Sequence, residues 1–295
     1  MLVTVAIPFY NPGIEFIHSI HSVLLQTYSN LEILLVNDGS TDGSLELAES
    51  IYDPRVKVIN DGINKGLNYR LNQIIDLASG VYLARMDADD LMALNRIEIQ
   101  VRFLNDNPRL ELTTTGLCSI DKQYNVLGFR GPKENGIDNN LTLIALLFGY
   151  KCPIHASLLA KLSWCKRNKY SEKYKRIEDF NLWLTAFKNN DLRIGFIKEH
   201  LYFYEESNSL DPKLLEISYK NQMKLLLSDF NSDFPVYTKA KFIVRSYLKI
   251  ILIKLPLLHK YILNLRHQQN KEYLNEAIKV KKHIETILDS NKSSV

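Results

Sequence analysis

The chain has 295 residues, three cysteines and a formal net charge of +4 at pH 7. This length is enough for one large domain with an appendage or for two small domains, and so few cysteines exclude a disulfide framework and are typical of a reducing cytoplasm. The sequence has neither a basic leader before an apolar run nor about 18 consecutive apolar residues, so it predicts neither a secretory signal nor a membrane-spanning helix.

The first third of the chain alternates between two hydrophobic periodicities. Short apolar runs rich in β-branched residues predict strands, and apolar residues at helical spacing predict helices. The predicted strands cover residues 3–9, 32–37, 56–59 and 81–86, and the predicted helices cover residues 15–26, 44–51 and 64–78. Strands that alternate with crossover helices form a mostly parallel sheet with helices on both faces, so the fold class is α/β.

The remainder is less regular and ends in a different composition. Helices are predicted over 96–107 and 179–188, and a loop and hairpin over 121–140. Residues 1–211 carry 22 Lys and Arg and 26 Asp and Glu, whereas residues 212–295 carry 15 and 7 and contain no glycine. We therefore expect an α/β domain over 1–211 and a basic, helical extension over 212–295.

Polar side chains follow three of the predicted strands. Ligands of open α/β sheets bind beyond the carboxyl ends of the strands, so we expect these side chains to converge on one crevice. They are Tyr10 and Asn11 after the first strand, Asp38 after the second, and Asp87, Asp89 and Asp90 after the fourth.

The densest group lies in residues 85–90, which read RMDADD. Three carboxylates within four residues repel one another unless a cation lies between them. Oxygen ligands at this density suit Mg²⁺ or Mn²⁺, which usually complete their coordination with phosphates and water. The alternative is a helix start capped by Asp89 or Asp90.

Two other segments have both structural and functional interpretations. Residues 37–43 (NDGSTDG) form either a plain turn or a turn that presents the Asp38 carboxylate to a base or a ribose. Glu178 and Asp179 open a predicted helix, where the helix dipole favours acidic residues in any case. One of them would also serve as a base that takes a proton from a hydroxyl.

In combination, these segments resemble the family 2 glycosyltransferases of the GT-A type. The matching pieces, in the family's order, are VTVAIPFYN at 3–11, QTY at 26–28, the turn at 38–42, NKGLNYRLN at 64–72, ARMDADD at 84–90, HAS at 155–157 and EDFNLWL at 178–184. The resemblance implies a GT-A-like fold and inverting transfer of a hexose-type sugar. The donor would be a nucleotide-diphosphate sugar, typically a UDP-sugar, and the acceptor a hydroxyl in cell-surface glycan assembly.

The resemblance also implies roles for single positions. Asp89 would hold Mn²⁺ or Mg²⁺ on the diphosphate, and Asp179 would deprotonate the acceptor hydroxyl. Because the cation neutralises the leaving diphosphate, one base on the acceptor side is sufficient for in-line displacement. The implied nucleotide-binding residues are Pro8, Tyr10, Asp38, Arg70 and Asp87.

The chain departs from the family pattern in three places. Ala156 stands where the family often has Pro, and Asn181 where it often has Asp. Residues 204–207 (YEES) replace a stretch that is often rich in Arg and His. The resemblance therefore does not assign the residues that close over the diphosphate.

Residues 239–266 combine basic residues with long aliphatic runs. Lys241, Arg245 and Lys249 recur at four-residue spacing, which predicts an exposed basic stripe on an apolar helix. Such a helix lies in a membrane interface, or else packs on the preceding domain. Long aliphatic runs separate these basic residues, which argues against a nucleic-acid partner. With glycan or lipid-linked glycan acceptors implied by the resemblance, we expect a cytoplasmic protein with peripheral contact to the inner membrane face through 239–266.

Two other functions remain open from the sequence. A sugar-1-phosphate nucleotidyltransferase has a similar sheet, but it usually carries a Gly-rich basic loop near its N-terminus. Residues 8–13 contain neither Arg nor Lys. A non-catalytic module that binds nucleotide-sugars would keep the same pocket and differ only in lacking turnover.

Overall fold

The computed structural model describes residues 1–137, 141–150, 153–206, 211–255 and 274–292. The strands are β1 (Val3–Phe9), β2 (Leu31–Asn37), β3 (Val56–Ile59), β4 (Tyr82–Arg85), β5 (Leu91–Met92), β6 (Leu112–Ile120), β7 (Val126–Arg130), β8 (Gly136–Ile137), β9 (Leu159–Lys161) and β10 (Ile194–Glu205). The helices are α1 (Phe16–Leu24), α2 (Ser44–Glu49), α3 (Leu67–Leu77), α4 (Arg96–Asp106), α5 (Leu143–Phe148), α6 (Leu162–Arg167), α7 (Glu178–Lys188), α8 (Pro212–Ser228), α9 (Val236–Ile253) and α10 (Leu274–Lys292), with a 3₁₀ turn at His155–Ser157.

The strands form one sheet in the order β3-β2-β1-β4-β9-β6-β10-β5, with β7 beside β6 and β8 beside β10. The first four strands are parallel to one another, as predicted from their alternation with helices. β9 is antiparallel to both β4 and β6, and it joins this part to the parallel pair β6–β10. The α/β class is confirmed, in a mixed sheet.

Alternate residues of the central strands enter two different core layers, because successive side chains of a strand point to opposite faces. Val5 and Ile7 of β1 pack in a layer with α1 and α4. Ala6, between them, packs in the other layer, to which α3 and α5 to α9 contribute. Helices therefore cover both faces of the sheet.

A buried carboxylate ties the parallel strands together. Glu32 of β2 accepts a hydrogen bond from Thr4 Oγ1 of β1 at 2.7 Å and from Lys57 Nζ of β3 at 2.8 Å. The backbone nitrogen of Ser79 donates to it at 2.9 Å. Burial by itself raises the pKa of Glu32, but these hydrogen bonds outweigh it and lower the pKa to about 2.

The C-terminal helices pack against the rest of the chain. Leu225 of α8 and Phe242 of α9 belong to the same core layer as α6 and α7. α10 packs against α1, where Ser290 Oγ lies 3.1 Å from His21 Nδ1. Of the helices in the described ranges, none has the length and hydropathy needed to cross a membrane.

All three basic residues predicted to form an exposed stripe on α9 place their charged groups over aromatic rings of the protein. Lys241 Nζ lies 5.6 Å from the centroid of the Phe148 ring, although the residue as a whole is exposed. Arg245 donates to the carbonyl of Phe148 at 3.0 Å and stacks on its ring, 5.6 Å from the centroid. Lys249 Nζ lies 5.2 Å from the centroid of the Tyr219 ring. Aromatic faces attract these cations onto α5 and α8, which the spacing of the residues could not indicate. Residues 256–266 of the predicted segment lie outside the described residues.

Candidate active site

The loops that follow β1, β2 and β4 lie side by side at one edge of the sheet. β1 lies between β2 and β4 and is parallel to both, so the three carboxyl ends meet at the same edge. The first two loops are fastened together. Asn11 Oδ1 accepts from the backbone nitrogen of Thr41 at 2.7 Å, and Asp42 accepts from that of Gly13 at 2.8 Å. The three strand ends therefore meet at one edge of the sheet, but of the side chains expected to share one crevice only Asp87 and Asp89 line the cleft there.

A cleft of about 870 Å³ opens at this edge. Asp87 and Asp89, from the loop after β4, form part of its wall. Glu178 and Asp179, from the first turn of α7, form another part. The fold thus brings together two acidic segments that are far apart in the sequence.

Asp38 is buried behind the cleft wall, where it holds the segment before α3. Its carboxylate accepts from the backbone nitrogens of Lys65 at 2.7 Å and Gly66 at 3.0 Å, and both residues line the cleft. Arg70 Nε donates to the same carboxylate at 2.9 Å. The predicted α3 starts at Leu67 rather than at residue 64 because residues 65 and 66 are held by Asp38 instead of in the helix.

Arg70 is fully buried, and each of its nitrogens has an acceptor in the protein. Besides the bond to Asp38, Nη1 donates to Gln73 at 2.8 Å, and Nη2 donates to Asp61 at 2.6 Å and to the carbonyl of Ile63. A guanidinium with all of its nitrogens engaged binds a ligand only by releasing one of these partners. Arg70 therefore supports Asp38 and its loop from within the protein.

Tyr10 and Pro8 differ in their access to solvent. Tyr10 is 55% exposed just beyond β1, and Pro8 is buried within β1 opposite Val36. The backbone nitrogen of Asp38 donates to the carbonyl of Phe9 at 2.8 Å, which places Tyr10 next to Asp38. Among the described residues that form the cleft wall, neither Tyr10 nor Pro8 is included. Both lie at the carboxyl end of β1, outside the lining of the cleft.

Arg85 and Asp87 form a two-pronged ion pair at the end of β4. Arg85 Nη1 and Nη2 donate to the two carboxylate oxygens of Asp87 at 3.0 and 2.5 Å. Burial by itself lowers the pKa of Arg85, but the Asp87 carboxylate raises it above its ordinary value. The fork fixes the orientation of Asp87 in the cleft wall.

Asp89 lines the cleft and is largely buried there. Burial and, next, the Asp87 carboxylate raise the pKa of Asp89 to about 6. Nearby positive charge is therefore too weak to stabilise the ionised Asp89 carboxylate fully. Carboxylate oxygens are ligands that Mg²⁺ and Mn²⁺ bind. No three His, Cys, Asp or Glu side chains within the described ranges surround a common point. The residues fit a cation that shares its coordination with the phosphates of a ligand and with water.

Asp90 belongs to the sheet rather than to the cleft. Its carboxylate is buried and accepts from the Tyr202 hydroxyl and from the backbone nitrogen of Glu205, both at 2.7 Å. The alternative prediction, a helix capped by Asp89 or Asp90, is wrong. The short strand β5 follows Asp90, and the next helix begins at Arg96.

Glu178 and Asp179 are two neighbouring carboxylates with unusual pKa values. Burial raises the pKa of both, and the neighbouring Asp179 carboxylate further raises that of Glu178. The Arg85 guanidinium partly opposes this rise in both cases. Asp179 Oδ1 accepts from the backbone nitrogen of Phe180 at 2.7 Å, and the residue lines the cleft. A carboxylate with a raised pKa suits proton transfer near neutral pH.

The family model described as Glycosyl transferase family 2 matches residues 4–160, more than half of the chain. The chain belongs to glycosyl transferase family 2. One relative, a UDP-Glc:alpha-D-GlcNAc-diphosphoundecaprenol beta-1,3-glucosyltransferase named WfgD from Escherichia coli, is 30% identical over 66% of this chain and 75% of its own length. The protein is a glycosyltransferase.

Solved structures of other glycosyltransferases share this fold. The S. aureus TarS 1–349 complex with UDP-GlcNAc superposes with a TM-score of 0.60, at 17% identity, over 97% of this chain and 81% of its own. The mannosyltransferase PcManGT from Pyrobaculum calidifontis, in complex with GDP-Man and Mn²⁺, gives a TM-score of 0.58, at 16% identity, over 98% and 86%. The expected GT-A-like fold is therefore confirmed.

The cleft of this glycosyltransferase contains cations that the sequence patterns did not single out. The sequence offered a signal for three of them: Lys65 lies within a segment that matches the family, and Lys175 and Arg176 are separated from the acidic pair only by Ile177. Arg130 had none, because only the β6–β7 hairpin brings it to the cleft, where it pairs with Glu206 at 3.1 Å. The cleft-lining cations are Lys65, Arg85, Arg130, Lys175 and Arg176.

Proposed function

We propose that this protein is an inverting, metal-dependent glycosyltransferase that moves a hexose from a UDP-sugar to an acceptor hydroxyl during cell-surface glycan assembly. The observation that carries the proposal is the meeting of two acidic segments in one cleft. Asp87 and Asp89 lie on one wall, and Glu178 and Asp179 lie on another. The first pair suits a metal-bound diphosphate, and the second suits a base on the acceptor side.

The nucleoside would bind beside the ends of β1 and β2. Tyr10 offers an exposed ring, and Asp38 Oδ2 accepts only from Gly66, at 3.0 Å, within the described residues, which leaves a lone pair for a uracil N–H. Arg70 would act by holding Asp38 in place, and Pro8 by shaping the strand end. Asp87, oriented by Arg85, would accept a hydrogen bond from the ribose.

Asp89 would hold the divalent cation, Mn²⁺ or Mg²⁺, together with the donor phosphates and water. When bound, this cation neutralises the charge that develops on the departing diphosphate. The Mn²⁺ in the PcManGT complex supports metal use within this fold. Positive charge for the phosphates would also come from the cleft-lining cations Lys65, Arg130 and Arg176. They would replace the Arg/His-rich stretch of the family, where this sequence has YEES at 204–207.

Asp179 would take the proton from the acceptor hydroxyl. As that proton moves to Oδ2, the hydroxyl oxygen attacks the anomeric carbon from the side opposite the diphosphate, and the bond to the diphosphate breaks. Configuration at the anomeric carbon inverts because attack and departure are in line. No second acid is needed for a leaving group that is already stabilised as an anion.

The acceptor would be a glycan or a lipid-linked glycan. WfgD, by its name, acts on a sugar attached to diphosphoundecaprenol, which supports an acceptor of that kind here. The enzyme would then work in the cytoplasm, at the inner face of the membrane. Residues 1–211 would form the catalytic domain, and residues 212–295 a helical extension packed on it.

Turnover of nucleotide-sugars tests the proposal. The purified full-length chain is incubated with UDP-hexoses and Mn²⁺, with and without acceptor glycans, and released UDP is measured. We expect UDP release that stops with EDTA and returns with added Mn²⁺. Nucleotide-sugar binding without turnover would indicate the non-catalytic module. Pyrophosphate release from a nucleoside triphosphate and a sugar-1-phosphate would indicate the nucleotidyltransferase.

A further inference from the structure

His155 lines the cleft, and the proposed mechanism gives it no role. It begins the 3₁₀ turn that precedes β9, and two strands hold this turn in place. The backbone nitrogen of Arg85, at the end of β4, donates to the carbonyl of Leu158 at 2.9 Å. The backbone nitrogen of Thr115, in β6, donates to Ser157 Oγ at 2.9 Å. The imidazole ring is therefore carried by a turn that is fastened to the sheet at two points.

One hydrogen bond and two aromatic contacts fix the ring itself. His155 Nε2 lies 2.8 Å from the Tyr170 hydroxyl, and the two rings meet edge to face with their centroids 5.4 Å apart. The ring of Trp183 meets the imidazole in the same way, at 5.9 Å. A side chain held on several sides in this manner keeps one orientation, which a site that distinguishes similar ligands requires.

His155 lies between the two acidic segments of the cleft wall. Its turn is hydrogen-bonded to β4 at Arg85, the residue that orients Asp87. Its ring contacts Trp183 of α7, which lies four residues after Asp179 and so on the same side of that helix. The proposed function places the diphosphate on the first segment and the acceptor hydroxyl on the second. The transferred sugar would then occupy the space beside His155.

The second ring nitrogen, Nδ1, is the one that a ligand can reach. Nε2 is directed at Tyr170, which is not among the described residues that line the cleft. Nδ1 points away from Nε2 and makes no hydrogen bond to any residue in the described part of the chain, yet the protein does not enclose it. Burial and, next, the Arg85 guanidinium hold the pKa of His155 well below its ordinary range, so the ring is neutral. A neutral imidazole nitrogen suits a hydroxyl, whereas a phosphate is bound most strongly by charged donors.

We propose that His155 Nδ1 hydrogen-bonds to one hydroxyl of the donor sugar and thereby selects among UDP-hexoses. That a sugar occupies this part of the cleft rests on the proposed function. Hexoses differ in single hydroxyls, and a site built to pair with one hydroxyl rejects a sugar that lacks it, because the protein's polar atom is then left without a partner. The ring's fixed orientation prevents Nδ1 from following a displaced hydroxyl.

Calorimetric titration of the full-length protein in Mn²⁺ tests this contact. UDP, UDP-glucose, UDP-galactose and UDP-GlcNAc are compared, and the sugar that binds most tightly is then compared with its monodeoxy analogues. Wild type should bind one of these analogues about 10-fold or more weakly than the parent, the size expected when one polar atom loses its partner. His155→Phe keeps an aromatic ring and removes both nitrogens. It should bind the parent and that analogue equally weakly, while its affinity for UDP stays near that of wild type.

Three further variants separate the contact from a structural role. His155→Asn keeps a polar atom near the position of Nδ1 and should retain part of the preference for the parent sugar. Tyr170→Phe removes the hydroxyl that holds the ring and should reduce the preference without abolishing it. His18→Phe is the matched control, since His18 Nδ1 lies 2.7 Å from the Tyr124 hydroxyl and neither residue is among the described ones that line the cleft. This variant should bind all of the ligands as wild type does.

Three results overturn the proposal. They are wild type that binds every monodeoxy analogue as tightly as the parent, His155→Phe that keeps the wild-type preference, and His155→Phe that loses affinity for UDP and for the UDP-sugar by the same factor. UDP release with an acceptor is measured in parallel. If it is absent while binding follows the expected order, the proposed transfer fails and the His155 contact stands.

Discussion

The assignment of the base is tested by Asp179→Asn, which keeps the shape of the side chain and removes its basicity. Comparing Asp179→Asn with Glu178→Gln shows which of the two carboxylates acts as the base. Asp179 Oδ1 already accepts the backbone N–H of Phe180, and the amide oxygen of Asn can keep that bond. We therefore expect folding and UDP affinity to stay near those of wild type while the chemical step slows.

Loss of a general base lowers the rate by about 100-fold or more, which corresponds to about 2.7 kcal/mol in activation free energy. Burial raises the pKa of Asp179, so the rate of wild type should rise with pH across a range above that of an ordinary aspartate. This acid limb should vanish in Asp179→Asn, because no proton-accepting group remains to titrate.

The assay is UDP release at saturating donor and acceptor, with UDP affinity measured separately by calorimetry. Normal turnover of Asp179→Asn together with a 100-fold loss in Glu178→Gln would show that Glu178 is the base. Normal turnover of both variants would refute the reasoning, because the pair would then only cap α7.

The remaining predictions concern the metal, the nucleotide loop and acid stability. Asp89→Asn should abolish the gain in UDP affinity that Mn²⁺ produces, as seen by calorimetry; full turnover in EDTA would contradict a metal at this site. Arg70→Lys should destabilise the protein by about 3 kcal/mol in urea unfolding and weaken UDP binding, since one ammonium cannot replace all of the guanidinium's bonds to Asp38 and its loop; unchanged stability and affinity would argue against this support role. Because the pKa of Glu32 is about 2 in the folded protein against 4.5 ordinarily, its ionised form stabilises the fold above about pH 4.5 and loses this effect as the pH falls towards 2. The full effect is roughly 3 kcal/mol, from 1.36 kcal/mol per pKa unit. Glu32→Gln should lose that part of the pH dependence of the free energy of unfolding. If this free energy changes with pH in the same way in variant and wild type, the prediction is wrong.

Much of the fold was predictable because local patterns report it. The periodicity of apolar residues located β1 to β4 and α1 to α4 to within a few residues, since a buried strand or helix face must repeat with the geometry of its own backbone. Their alternation also predicted the parallel order of the first four strands. The cation site was predicted from the sequence alone, because the RMDADD segment has three carboxylates within four residues at the end of a predicted strand.

Tertiary contacts decided how those residues are used. Asp90 belongs to the same acidic segment as Asp89, but its carboxylate is buried and accepts a hydrogen bond from the Tyr202 hydroxyl. Asp89, in contrast, lines the cleft. Arg70 is enclosed by Asp38 and a loop, so it acts through them. Arg245 and Lys249 of α9 are half-buried, with their charged groups over aromatic rings of α5 and α8, so they do not form the exposed stripe that their spacing predicted. In each case the position of the side chain depends on a residue that is distant in the sequence. Hydrophobic periodicity shows which side of a helix or strand is apolar, but it does not show which residues contact that side.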